Sequence, residues 1–164
     1  MGELLGTIWG RLIMLMGLAA VVTLGIVAFS GSKVTDTVSD IALLQGNARQ
    51  QLGSTPNGYL NFTTANATTL ISNGIVPSGM VRGGALTDKW GGAITLGSLN
   101  NGAQGVIHLT GVSSIKDCNR LVTTLGDYDS LLVGSTTFTP DNRPDGVTAA
   151  QACTGTVDVE IHFS

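Results

Sequence analysis

LIMLMGLAAVVTLGIVAF, residues 12–29, contains no charge, proline or amide, and SGSKVTDTVSDIALLQGNARQQLG follows it directly at 30–53. The first stretch has eighteen residues, just enough for an apolar helix to span a bilayer. Residues 1–32 carry only Glu3 and Arg11 as charges, so a helix there is apolar all round and needs lipid or protein on every side. In the second stretch Val34, Val38, Ile41, Leu44, Ala48 and Leu52 recur at steps of three and four, an amphipathic stripe continuing the apolar run. Lys33, Asp36, Asp40 and Arg49 fall between them and predict a solvated face. No proline precedes Pro56, which permits one helix of about 50 residues, about 75 Å long at 1.5 Å per residue. Gly17, Gly25 and Gly46 are soft points in it, each costing about 1 kcal/mol against alanine. Arg11 ahead of the apolar run and Ala28-Phe29-Ser30 behind it also fit a cleavable signal peptide loosely, but the continuing stripe argues against that reading. The expected organisation is an apolar membrane or filament-core helix over 1–29, its amphipathic continuation over 30–52, and a globular head over 53–164.

Composition narrows the function. The 164 residues suit one domain with an appendage, and 12% charged against 43% hydrophobic residues places unusual apolar weight somewhere in the chain. A net charge of −3 and a sequence pI near 5.1 give no basic footprint for a nucleic-acid backbone. Cys118 and Cys153 lie 35 positions apart with no CxxC and no histidine at ligand spacing, so a disulfide is the simpler reading than zinc. Such a bridge requires maturation in an oxidising compartment.

The head reads as a sheet with short helices. QLGSTPNG at 51–58 ends the long helix, and TANATTLISN at 64–73 suggests a short helix stopped by Gly74. Residues 93–99 and 105–111 read as strands joined by Asn100-Asn101-Gly102. Ser114 caps a helix carrying Ile115, Cys118, Leu121, Val122 and Leu125, closed by Gly126. Residues 130–138 read as one further strand and 140–146, PDNRPDG, as a loop. Over 157–163, Val157, Val159, Ile161 and Phe163 alternate with Asp158, Glu160 and His162, which predicts a last strand with one buried face, set against the long helix. The fold class is α+β, a long N-terminal helix packed on an antiparallel sheet. Asn61-Phe62-Thr63 and Asn66-Ala67-Thr68 match the glycosylation sequon and read as chance in a threonine-rich segment.

These pieces resemble the type IV pilins, specifically the type IVb group of toxin-coregulated, bundle-forming and plasmid conjugative thin-pilus pilins, over nearly the whole chain. The likeness rests on the apolar helix with its continuation to Leu52, and on Asp88-Lys89-Trp90-Gly91-Gly92, similar to the family's Asn/Asp-x-aromatic-Gly-Gly turn. It rests also on Cys118-Asn119-Arg120-Leu121-Val122 with Cys153-Thr154-Gly155, similar to the paired cysteines of the type IVb C-terminal region. The start departs from the pattern: Met1-Gly2-Glu3 stands where the family has glutamate at the fifth mature position. Alignment on the apolar run would instead place cleavage after Gly6 and put Arg11 at the acidic position; the reading kept takes Met1 as the processed end.

The resemblance implies a structural subunit held in the inner membrane, then packed with identical copies into an extracellular filament. Prepilin peptidase and the inner-membrane assembly machinery would be its partners. Gly17, Ala20 and Gly25, with their small neighbours, would form the helix-packing seam. Glu3 would pair with the Met1 amine or with Arg11 of an adjacent subunit and set register, since eight residues, about 12 Å of helix, separate Glu3 from Arg11 in one chain. The competing account of Arg11 is snorkelling to lipid phosphate.

No enzyme, cofactor or metal site is expected. His108 and His162 read as strand residues without a Ser, Cys or acid arrangement beside them, and Asp127, Asp129, Asp141 and Asp145 as solvated turn residues without calcium-loop spacing. A type II secretion pseudopilin, which usually lacks the C-terminal disulfide, and a membrane-anchored extracytoplasmic binding module are the alternatives.

Overall fold

The computed structural model describes residues 33–164. The expected segment 1–29 and its Met1, Glu3, Arg11, Gly17, Ala20 and Gly25 lie outside the described residues. Among those described, no helix is long and apolar enough to cross a membrane.

The stripe of the amphipathic stretch is buried as its spacing predicts. Helix α1 (33–48) runs into a wider π-helical turn, Arg49–Gly53, so helical backbone extends one residue past Leu52. Val34, Ile41, Leu44 and Ala48 are 0–3% exposed, with Val38 and Leu52 packed beside them. Two polar residues share this face. Thr37 is satisfied within the helix, its hydroxyl donating to the Lys33 carbonyl at 2.8 Å, and Gln45 donates to the Asp127 carbonyl at 3.3 Å.

The chain then makes single-turn helices at Gly58–Asn61, Thr64–Asn66 and Ser78–Met80, with α2 at Ala67–Ser72. The first of these places Tyr59 and Phe62 against Phe163, ring edges on faces at centroid distances of 5.2–6.3 Å. A short ribbon, β1 (Val81–Arg82) with β2 (Ala85–Leu86), precedes the sheet. The sheet comprises β3 (Ile94–Leu99), β4 (Gln104–Val112), β5 (Ser130–Val133), β6 (Thr136–Phe138) and β7 (Val157–Phe163). Its order is β3-β4-β7-β5-β6 with every pair antiparallel, so the last strand lies in the middle. That position explains its alternation: Val157, Val159, Ile161 and Phe163 are 0–9% exposed on the face that shares its core with α1.

One local expectation fails for an identifiable reason, and one helix was not anticipated. The single strand over 130–138 is a hairpin, because Gly134 at φ +57° turns the chain between β5 and β6. The loop expected over 140–146 holds through Asp145, and an unanticipated helix, α4 (Gly146–Ala152), follows it. Asp145 caps that helix, accepting from the amides of Val147 and Thr148, while its own amide donates to the Thr148 hydroxyl. The expected helix after Ser114 is α3 (Ile115–Thr124), with the Ser114 hydroxyl accepting from the Asp117 amide at 3.2 Å. Its first apolar residue, Ile115, is exposed rather than buried.

Candidate functional site

Polar fasteners hold α1 to the head at three points. Near its middle, Asp40 meets Lys89 at 3.1 Å, and Lys89 also donates to the Gly79 carbonyl at 2.8 Å. Two residues before Arg49, Asn47 donates to the carbonyls of Gly74 and Ile75, both at 3.2 Å. At the end, Arg49 donates to the Ser164 carbonyl at 2.7 Å and to the Asp127 carbonyl at 3.2 Å, pairs with the Asp127 carboxylate, and lies 5.5 Å over the Phe163 ring. Asp40 and Arg49, expected on a solvated face, are therefore fasteners, because turns distant in sequence reach up to meet them. Asp127 is an exposed turn residue, as expected, and its carbonyl and carboxylate also join the same cluster. Asp129, likewise, accepts from Gln104 at 3.0 Å and from Ser164 at 3.2 Å.

The Asp88–Gly92 turn couples this attachment to α3. Asp88 is 2% exposed, and its Oδ1 accepts from the amides of Trp90 at 2.9 Å and Gly92 at 2.7 Å. Burial pushes its carboxyl above the usual aspartate range, opposed in part by the amides of Gly92, Trp90 and Gly91 and by the charge of Arg82. Gly91 has φ +92°, and a Cβ on Gly92 would run into the Thr110 carbonyl, so both glycines are required here. Trp90 Nε1 donates to Asp117 on α3 at 3.0 Å.

Cys118 and Cys153 form the expected disulfide, with Cα atoms 5.9 Å apart and both residues fully buried. It joins α3 to the C-cap of α4, a helix-to-helix tie, and Asn119 adds a bond to the Gly146 carbonyl at 3.0 Å.

The histidines have partners that the sequence reading missed. His162 Nδ1 lies 2.9 Å from Ser130 Oγ and its Nε2 lies 2.5 Å from Glu160 Oε1. His108 Nδ1 lies 3.4 Å from Thr95 Oγ1 and its Nε2 lies 3.6 Å from Asp158 Oδ2. Glu160 lies two residues from His162 on the same face of the last strand, whereas Ser130 reaches it only through strand pairing. Among the described residues no cluster of His, Cys, Asp and Glu is arranged to hold a metal ion.

An open groove of about 610 Å³ lies beside Arg49 and Tyr59, walled by the turns at 53–58 and 101–103.

A family model described as PilS N terminal matches residues 32–163, more than half of the chain. No curated protein matches it. Among solved structures, the crystal structure of TcpA, a type IV pilin from Vibrio cholerae El Tor biotype, is similar with a TM-score of 0.57 and 19% identity, over 81% of this chain and 99% of that one. At that identity the likeness is one of fold, and it is the α+β fold that the helix, the sheet and the paired cysteines led to. With the striped helix sealed onto an antiparallel sheet and the C-terminal bridge formed, the chain belongs to the PilS N-terminal family, a type IV pilin-like family.

Proposed function

We propose that this chain is the major structural subunit of an extracellular type IVb pilus, serving conjugation, adhesion or cell aggregation. The carrying observation is the junction of two kinds of helical sequence: an uncharged run of eighteen residues leads into a stripe whose residues are buried in the head core. A subunit of this design is anchored in the inner membrane by 1–29. It exchanges lipid for the helices of its neighbours on assembly, at about 25 cal/mol per Å² of apolar area kept from water. Gly17, Ala20 and Gly25 are the close-approach positions, and Glu3, with the Met1 amine or a neighbour's Arg11, sets the axial register. An unpaired carboxylate in that core costs several kcal/mol, which is why a partner is required.

The test is electron microscopy of material sheared from expressing cells, with mass spectrometry of the same material. Thin filaments built of this chain, with the Cys118–Cys153 bond intact, are the expected result. A monomer that stays in the inner membrane with the assembly machinery present overturns the reading in favour of an anchored binding module. Glu3→Ala is expected to stop extraction into filaments; normal filaments from that variant would remove Glu3 from the register.

A further inference from the structure

The asparagines of the head divide into two sets. Asn47, Asn66, Asn100 and Asn119 commit their side-chain amides to the fold, each bonding a neighbour. Among the described residues the side chains of Asn57, Asn61, Asn73, Asn101 and Asn142 have no hydrogen-bond partner. All of these except Asn142 line grooves. Asn57 and Asn101 stand on the open groove of about 610 Å³ beside Tyr59, and Asn61 and Asn73 on a second groove of about 290 Å³, lined also by Leu52 and Thr69. One element serves both: the single-turn helix Gly58–Asn61 gives its first residues to the larger groove and its last to the smaller, and Leu60 between them is 50% exposed.

Backbone packing sets the larger groove. A Cβ on Gly58 would stand 2.3 Å from the Gly102 carbonyl oxygen, and one on Gly102 would stand 2.6 Å from the Asn57 carbonyl oxygen, so the two Asn-Gly turns interlock. Gly58, Asn101 and Gly102 have φ of +51°, +54° and +87°, and any side chain larger than hydrogen at either glycine would part the turns. Asn57 and Asn101 are therefore positioned before a ligand arrives, which lowers the cost of binding one.

The walls select the class of ligand. No Asp, Glu, Lys or Arg occurs from Gln50 to Val81, and the charged side chain that the larger groove does have, Arg49, is paired with Asp127. An ionic ligand finds no unpaired counter-charge there. Tyr59 is 3% exposed, its ring packed with Phe62 and Phe163, so a flat aromatic ligand finds no open ring to stack on. What remains is amides, which donate and accept at once, beside small apolar surfaces at Pro56 and Leu60. A pyranose carries the complement: hydroxyls that donate and accept around its rim, and C–H groups on its faces. The larger volume lies within the range of about 300–1,000 Å³ common to small-molecule sites, and the smaller stands at its lower edge.

We propose that the two grooves are successive subsites for one uncharged oligosaccharide, with Asn57 and Asn101 holding one sugar unit and Asn61 and Asn73 a later unit of the same chain. The inference concerns what the head recognises and not how subunits assemble, so it does not rest on the pilus reading.

Saturation-transfer NMR of the full-length chain tests it, in amine-oxide micelles so that the detergent carries no sugar. The probes are maltotriose, chitotriose and lacto-N-neotetraose, with anionic 3′-sialyllactose and the uncharged peptide acetyl-trialanine amide as competing classes. At least one neutral sugar is expected to bind, more tightly than either competitor. Asn57→Ala with Asn101→Gly, which keeps the left-handed turn, weakens that sugar at least tenfold, and Asn61→Ala with Asn73→Ala weakens it at least threefold. Asn142→Ala, which removes the uncommitted amide that lines neither groove, leaves binding unchanged. An unchanged melting temperature in each variant shows that the fold is kept, and single substitutions of the same four asparagines replace any pair that lowers it. No binding of any neutral sugar, tighter binding of the sialylated sugar or the peptide, or losses confined to Asn142→Ala each overturns the proposal.

Discussion

Removing the Cys118–Cys153 bridge with a Cys118→Ala, Cys153→Ala pair puts a number on how the C-terminal third of the head is held. The substitution deletes the crosslink without placing a hydroxyl in a site that is fully buried. The bridge closes 35 residues that include β5, β6 and all of α4. Loop entropy for that length gives about 4 kcal/mol at 25 °C. Unfolding entropy is about 2.1 cal/mol/K per residue, so roughly 130 residues give about 0.28 kcal/mol/K and a fall in Tm of about 14 °C. Other ties between α3 and α4 do not replace it, since the Asn119 bond to Gly146 is exposed and worth about 1 kcal/mol. The assay is thermal unfolding of the full-length chain in detergent micelles, followed by near-ultraviolet circular dichroism, with phosphine-reduced wild type alongside. A fall below about 4 °C in both the variant and the reduced wild type would refute the reasoning. Packing of α3 on α4 would then hold the region, and the bridge would be redundant.

Two further substitutions separate charge from hydrogen bonding. Arg49→Met is expected to cost about 2 kcal/mol in urea unfolding, because it strips donors from the Ser164 and Asp127 carbonyls and lifts a cation off Phe163. Asp127→Asn should cost under about 1 kcal/mol, since that carboxylate is 74% exposed and its ion pair is screened; equal losses would mean the ion pair carries the contact. Asp88→Ala removes the acceptor of two amides and should cost about 2 kcal/mol. The Asp88 carboxyl is raised in the fold, so the native state holds its proton more tightly than the unfolded chain does. Its contribution is therefore fully present below the ordinary aspartate value and is lost as pH rises through the raised one. Asp88→Asn keeps the acceptor and removes the titration, so the variant should gain on wild type from acid to neutral pH; parallel stability profiles would show that the buried carboxylate costs nothing.

Segments with one sealed face were legible in the sequence. The steps of three and four through Val34, Ile41, Leu44 and Ala48 and the alternation through Val159, Ile161 and Phe163 arise because each element has a single apolar side, and burial reads out that side's period. Helix α4 was not, since seven residues with an alanine-rich middle show no period; its signal was the cap at Asp145 and Thr148 inside what looked like loop sequence. Gly134-Ser135 carried the turn that splits β5 from β6. The surroundings of Arg49 had no local signal, and of the partners of His162 only Glu160, two positions away, did. Arg49 meets residues 78 and 115 positions away, and Ser130 faces His162 only because the last strand inserts between β4 and β5.

The long-range polar contacts answer a problem that the legible stripe creates. A hydrophobic stripe is non-directional, so by itself it lets a helix slide along a sheet by a turn, about 5.4 Å, at small loss of buried area. The fasteners remove that freedom: Lys89 on Asp40, Asn47 on the carbonyls of Gly74 and Ile75, and Arg49 on those of Asp127 and Ser164. Asp40 and Arg49 are nine residues apart, about 13.5 Å along the axis, and a shift of one turn would break the bonds at both ends at once. Most of these donors end on backbone carbonyls, whose positions are fixed by the turns and strands that contain them, so register is set by the fold of the head rather than by the rotamers of exposed side chains. Apolar burial thus chooses which side of α1 faces the sheet, and hydrogen bonds choose its height. In the filament proposed above, that height would set where each head meets the next.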